Sequence, residues 1–152
     1  MVAKKQRPLP EKDKDVKTVV VDTNILFSAL LGKNKRFRDV ILTESDIVFY
    51  SCKFVVVELF KHKEKIRKYS VFEEDEILEV LYKLLKRINL FDEDIVTDES
   101  LQKAFDLCKG IDEKDIPFVA ITIDLNGLLW TVDKILKDGL SSKGFESFFE
   151  ND

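Results

Sequence analysis

Four carboxylates in this chain stand at the ends or edges of apolar runs, a placement suited to chemistry. Asp22 ends the run Val19-Val20-Val21, and Glu58 interrupts the run from Phe54 to Val57 before Leu59 and Phe60. Asp115, with Asp112 one turn earlier, opens the stretch DIPFVAITIDL, and Asp133 closes the run from Leu128 to Val132. A carboxylate at the edge of a core is costly unless a metal, a cation or hydrogen bonds stabilise it. An acid at the end of an interior strand also sits where a parallel sheet opens into its ligand crevice. Zinc is disfavoured as the partner, because the chain has one histidine, His62, and two cysteines, Cys52 and Cys108, without the spacing of a zinc site.

Local roles compete with chemistry for the same residues. Asp22, Thr23 and Asn24 are all good helix N-caps, as is Asp133 before Lys134. Asp112 and Asp115 have the spacing of a capping box, with Pro117 leaving the helix start ambiguous. For any one of these acids, capping accounts for the residue as well as a site does. Glu58 lies inside a helical pattern. At 100° per residue, Val55, Leu59 and Ile66 form an apolar stripe with Glu58 at its edge beside His62, so Glu58 is either a surface side chain or part of a site. His62 is open to two readings as well, a general acid or a packed, hydrogen-bonded residue.

The elements that must position these acids follow from periodicity. Residues 1–15 are polar, contain proline and lack periodicity, which predicts a flexible tail; residues 16–152 are expected to form a single domain. The pattern predicts strands at 17–21, 47–51, 95–96, 128–132 and near 145–148. It predicts helices at 24–31, 35–43, around Glu58 to Lys68, 73–87, 98–108, 115–125 ending at Asn126-Gly127, and 134–138. Strands alternating with helices predict an α/β fold, a central mostly parallel sheet flanked by helices on both faces. Asp22 and Asp133 then end strands, while Glu58 and Asp115 project inward from flanking helices. The amphipathic helix 73–87 either packs within the chain or joins two copies.

The four acidic segments, taken in order, resemble the PIN-domain nucleases, the family that includes the VapC toxins of bacteria and archaea. The resemblance is carried by VVVDTNIL (Asp22), VVVELF (Glu58), GIDEKDIPFVAITIDLNG (Asp112, Asp115) and LLWTVDKIL (Thr131, Asp133), and covers about residues 17 to 148. It implies a PIN-like three-layer sandwich and metal-dependent cleavage of RNA. Asp22, Glu58, Asp115 and Asp133 would be the catalytic acids that bind Mg²⁺ or Mn²⁺, with Asp112 close by and Asn24 and Thr131 in support. A homodimer through helix 73–87, and an antitoxin protein as partner, belong to the same expectation.

Hydrolysis of a phosphodiester requires an activated water and neutralisation of charge on the attacking and leaving oxygens, which hard divalent cations on oxygen ligands supply. Four acids suffice for one ion, or for two ions about 3.5–4 Å apart. Basic residues could track the RNA backbone: Lys33, Lys35, Arg36 and Arg38 after the first helix, and Lys61, Lys63, Lys65, Arg67 and Lys68 beyond Glu58. Each taken singly also fits a solvated helix face.

Composition narrows the remaining classes. A chain of 152 residues can bury roughly 68–70% of its unfolded surface, enough for its own core. A net charge of −4 is not that of a generic nucleic-acid binder, so any RNA affinity must come from a local basic cluster. With no signal-like start and no apolar stretch of membrane length, a cytoplasmic protein with free thiols and no membrane partner is expected. A haloacid-dehalogenase-like phosphatase would need a second acid where Asn24 stands, and a dinucleotide-binding domain would need a glycine-rich turn after the first strand. A receiver domain would want paired acids ahead of its central aspartate. The alternative retained is a PIN fold without catalysis, serving as an RNA-binding or protein-interaction module.

Overall fold

The computed structural model describes residues 16–150; the tail expected at 1–15 lies outside them. Among the described residues, four strands form one all-parallel sheet in the order β3-β2-β1-β4: β1 (Lys17–Val21), β2 (Ile47–Cys52), β3 (Ile88–Phe91) and β4 (Leu128–Trp130). The three valines of β1 are fully buried, as expected of a central strand covered on both faces. The Ser51 hydroxyl donates to the Val21 carbonyl at 2.7 Å and fixes the end of β1 against β2.

Among the described residues, eight α-helices cover the sheet. The first group is α1 (Thr23–Leu31), α2 (Lys35–Thr43), α3 (Phe54–Lys61), α4 (Lys63–Tyr69) and α5 (Glu74–Arg87), with α1 in contact with all the others. The second group is α6 (Asp98–Cys108), α7 (Ile116–Asp124) and α8 (Lys134–Ser142), with α7 packed directly on β1, β2 and β4. The result is the three-layer α/β sandwich expected from the sequence. Cys52 and Cys108 are both free and buried. Among the described residues, no helix is long and apolar enough to cross a membrane.

Several elements depart from the periodicity reading. The expected strand at 95–96 is instead the end of a 3₁₀ turn (Glu93–Ile95); the third strand is β3, which begins at Ile88, the residue that caps α5. The helix through Glu58 breaks at His62 into α3 and α4. The helix expected at 134–138 continues to Ser142 through Gly139, and the strand expected near 145–148 is a single parallel bridge from Phe148 to Leu129 on the outer edge of β4. A 3₁₀ turn (Glu113–Asp115) precedes α7, which places Pro117 in the first turn, where its missing N–H leaves no bond unmade. After α7 the chain reverses through Asn126 at φ +51°. At Gly127 a side chain would stand 2.9 Å from the Thr18 carbonyl, so only glycine lets β4 start beside β1.

Two contacts secure α8 beneath the turn that precedes Asp112. Gly139 lies flush on Ile111, where a Cβ would come within 2.5 Å of its side chain. The Lys143 ammonium donates to the carbonyls of Asp106 (3.2 Å), Leu107 (3.0 Å) and Lys109 (2.6 Å), which end α6.

Candidate active site

In an open parallel sheet, ligands bind beyond the carboxyl ends of the strands where the strand order reverses. Here the reversal lies between β1 and β4. Asp22 follows β1 directly, Asp133 follows β4 by three residues, and the Asp22 N–H donates to the Trp130 carbonyl across the two strand ends (3.3 Å). The site therefore stands at the switch point.

Each acid is held differently. Asp22 is the N-cap of α1, its Oδ1 accepting the Ile25 N–H at 3.0 Å, and it is only 4% exposed. Asp133 is the N-cap of α8, accepting the Leu136 N–H at 3.1 Å. Asp112 caps the 3₁₀ turn through the Lys114 N–H, so it does not form a capping box with Asp115. Asp115 occupies the N-cap position of α7, yet its side chain caps nothing and accepts no hydrogen bond among the described residues. Glu58 accepts a hydrogen bond at 2.8 Å from the Thr23 hydroxyl, a tie between α3 and the start of α1.

Electrostatics places these acids in one another's field. Burial, followed by the charges of Asp112, Asp22, Asp133 and Glu58, pushes the Asp115 carboxyl from 3.8 up to about 7. Burial pushes Asp22 up to about 6, and Asp133 adds to the rise. The Thr131 hydroxyl and the N–H groups of Ile25 and Asn24 oppose it by favouring the charged form. Thr131 also accepts the Asp133 N–H at 3.1 Å, so one buried hydroxyl serves two acids. Asn24 supports Asp22 through its backbone, while its own side chain is exposed.

The donor set suits a hard cation: carboxylates only, with no cysteine or histidine among them. Among the described residues no three His, Cys, Asp or Glu side chains close around one point as a preformed cage would. Mg²⁺ does not require such a cage, because it keeps several waters and takes one or two carboxylates directly. Asp115, which accepts no hydrogen bond among the described residues and is surrounded by like charge, is the group a cation would stabilise most.

The basic residues are not one track. Lys33, Lys35 and Arg36 are exposed and follow α1, which runs about 13 Å from Asp22 at 1.5 Å per residue. Arg38 is tucked in, its guanidinium over the Phe72 ring (5.0 Å), 3.9 Å from Asp39, its side chain 16% exposed. Lys61 lies over Phe54 and Lys63 over Phe60, Arg67 pairs with Glu64 and Glu74, and Lys65 is exposed. His62 packs edge-on against Phe27. Sequence reasoning missed one residue. Thr23 was read as one more cap, and its bond to Glu58 spans 35 positions that no local pattern reveals.

The PIN domain family model matches residues 20–149, nearly the whole chain. The chain belongs to the PIN-domain family of nucleases. No curated protein sequence matches it. Among solved structures it is similar to VapBC2 from Rickettsia felis bound to a DNA fragment from their promoter. That likeness is at 16% identity and TM-score 0.57, over 75% of this chain and 86% of the other, and is one of fold.

Proposed function

We propose that the protein is a metal-dependent endoribonuclease that hydrolyses RNA phosphodiester bonds, with Mg²⁺ or Mn²⁺ as cofactor. The observation that carries this reading is Asp115: a carboxyl that accepts no hydrogen bond among the described residues, raised to about 7 by burial and by four neighbouring acids at the sheet's switch point. A site that maintained such repulsion with no cation to relieve it would only cost stability. Asp22, Glu58, Asp115 and Asp133 would hold the ion, with Asp112 at the margin. When bound, the cation would supply positive charge to the phosphate and to the attacking water.

The chain's own residues then divide the work. Asp22 and Asp133 keep fixed positions because each is bonded to the helix it caps. Thr131 favours the charged form of Asp22 against its burial and bonds the Asp133 N–H, and Thr23 holds Glu58. Asp115 retains both oxygens for the cation or for a proton from water. Lys33, Lys35, Arg36, Lys61 and Lys65 remain candidates for outer backbone contacts, whereas the packing of Arg38 favours a structural role.

A protein partner fits the same reading. A groove of about 300 Å³ between α3–α4 and α5 is lined by Val56, Phe60, Leu78 and Leu81, with Phe60 66% exposed. An antitoxin or a second copy of the chain would cover this face. To test the central reading, a mixed RNA pool is incubated with the purified protein in Mn²⁺, with and without chelator, beside Asp22→Asn. Cleavage that needs the metal and is lost in the variant is expected. Equal cleavage by the variant would reveal a contaminant, and RNA binding without cleavage by the native chain would favour a non-catalytic module.

A further inference from the structure

Glu58 differs from the other acids in how little holds the element that carries it. α3 starts without a side-chain cap and breaks at His62, and of its eight residues only Val55 and Leu59 are buried, whereas Phe54, Val56, Val57 and Phe60 are exposed. It packs mainly on α1 and α4. Among the described residues one side-chain hydrogen bond joins α3 to another element, from the Thr23 hydroxyl to Glu58 Oε1 at 2.8 Å. Thr23 is suited to act as a fixed reference. It is 8% exposed, its branched Cβ restricts χ1, and it opens α1 directly after Asp22, whose carboxylate is bonded to the same helix at Ile25. The bond therefore ties the position of Glu58 to that of Asp22.

The bond also divides the two carboxylate oxygens. Oε1 accepts the hydroxyl, and Oε2 accepts no hydrogen bond among the described residues. A glutamate that swings freely can turn both oxygens to one ion, an arrangement that suits Ca²⁺, which takes more oxygens at longer distances and in flexible geometry. Mg²⁺ demands near-octahedral geometry at shorter distances, and a carboxylate restrained to one free oxygen meets that demand better than a chelating one. Rigidity and ligand number are thus what separate the two ions, and the Thr23 hydroxyl acts on both. We propose that Thr23 is a positioning residue that restrains Glu58 to a single free oxygen and so sets the preference of the site for Mg²⁺ or Mn²⁺ over Ca²⁺. The inference rests on the reading of these acids as a cation site and adds to it the residue that selects the ion.

Thr23→Val and Thr23→Ala remove the hydroxyl with and without keeping the shape, and Thr23→Ser keeps a donor. Each variant and the native chain, stripped of metal, is titrated by calorimetry with Mg²⁺, Mn²⁺ and Ca²⁺, and its melting temperature in chelator reports the fold. Loss of the hydroxyl should lower affinity for Mg²⁺ and Mn²⁺ by about tenfold, as for other groups that orient metal ligands, while affinity for Ca²⁺ holds or rises. Thr23→Ser should keep the native ratio. In a Glu58→Ala background, Thr23→Val should leave the ratio of Mg²⁺ to Ca²⁺ affinity where it was, because the hydroxyl acts through Glu58. A merely structural threonine would weaken all three ions together. That result, a native chain that binds none of the ions, a serine variant that behaves like the valine one, or a ratio that still shifts without Glu58 would each overturn the proposal. A cleavage assay on the native chain in Mn²⁺ separates it from the ribonuclease reading. Cleavage with no shift in ion preference removes the role of Thr23 alone, and a shift without cleavage removes the ribonuclease reading while ion selection by Thr23 stands.

Discussion

Asp22 and Asp133 are built into the backbone, whereas Asp115 and Glu58 are carried to the same place by helices. The first pair follows the ends of the adjacent strands β1 and β4 and caps the helices that come next, so each carboxylate has a structural duty besides any chemical one. Asp115 has no such duty, and Glu58 has a single partner in Thr23. An acid that caps a helix could be explained by folding alone. An acid that accepts no hydrogen bond among the described residues and is raised by burial and then by its neighbours points to a ligand, and for that reason Asp115 carries more functional information than the residue that first draws the eye, Asp22.

The sharpest way to break this contrast is to neutralise members of both pairs and measure cleavage. Asp22→Asn and Asp115→Asn should each lower metal-dependent cleavage by roughly a hundredfold or more, since even residues that only support metal ligands typically contribute 10–100-fold. A variant of either that cleaves normally would remove that acid from the site.

The pH dependence of stability separates the residues next. Both Asp22 and Asp115 bind a proton more tightly in the folded chain, at about 6 and about 7, than at the unfolded value of 3.8. Their contribution is fully present below about pH 4 and is lost as pH rises through 6 to 7, because the folded protein is then forced to give up protons the unfolded chain has already released. In chelator, the melting temperature of Asp115→Asn should therefore exceed that of the native chain increasingly from pH 5 to pH 7.5. A gap that shrinks over this range would contradict the assigned repulsion. A divalent cation should raise the native melting temperature more at pH 7.5 than at pH 5, where it must displace protons.

Smaller effects test the supporting groups. Thr131→Val keeps the shape but removes the hydroxyl between Asp22 and Asp133, and should lower metal affinity by about tenfold, measured by calorimetry. Asp133→Ala removes a helix cap and should cost about 1 kcal/mol of apo stability by denaturant titration, whereas Asp115→Ala, which removes no cap, should cost nothing or stabilise. Equal losses in the two would show that Asp115 serves the fold after all.

Much of this was legible in the sequence, for reasons that can be named. The valines of β1, the periodicity of α2, α5 and α6, and the Asn-Gly turn after α7 are local signals, and local physics decided them. β3 escaped because it leaves α5 with no turn residue between, and the apolar pair Ile95-Val96 was the more conspicuous β-branched candidate; only Val96 is buried there. α8 ran longer than expected because Gly139, a poor helix former, is retained for contact with Ile111. The ordered acids could be read from their apolar flanks. Which of them cap and which stand free could not, since that depends on bonds such as Thr23 to Glu58 and on neighbours brought together by the sheet.

The grip of Lys143 on the end of α6 bears on how the site breathes. The last carbonyls of a helix lack partners within it, so helix ends open first in local unfolding. One ammonium on the three carbonyls of Asp106, Leu107 and Lys109 delays that opening in the segment just before Asp112 and Asp115. Hydrogen exchange at Gly110 to Asp112 should accordingly quicken in Lys143→Met with every carboxylate still in place. The repulsion around Asp115 is thus opposed from the far side of the turn, by a residue near the end of the chain that never meets the site itself.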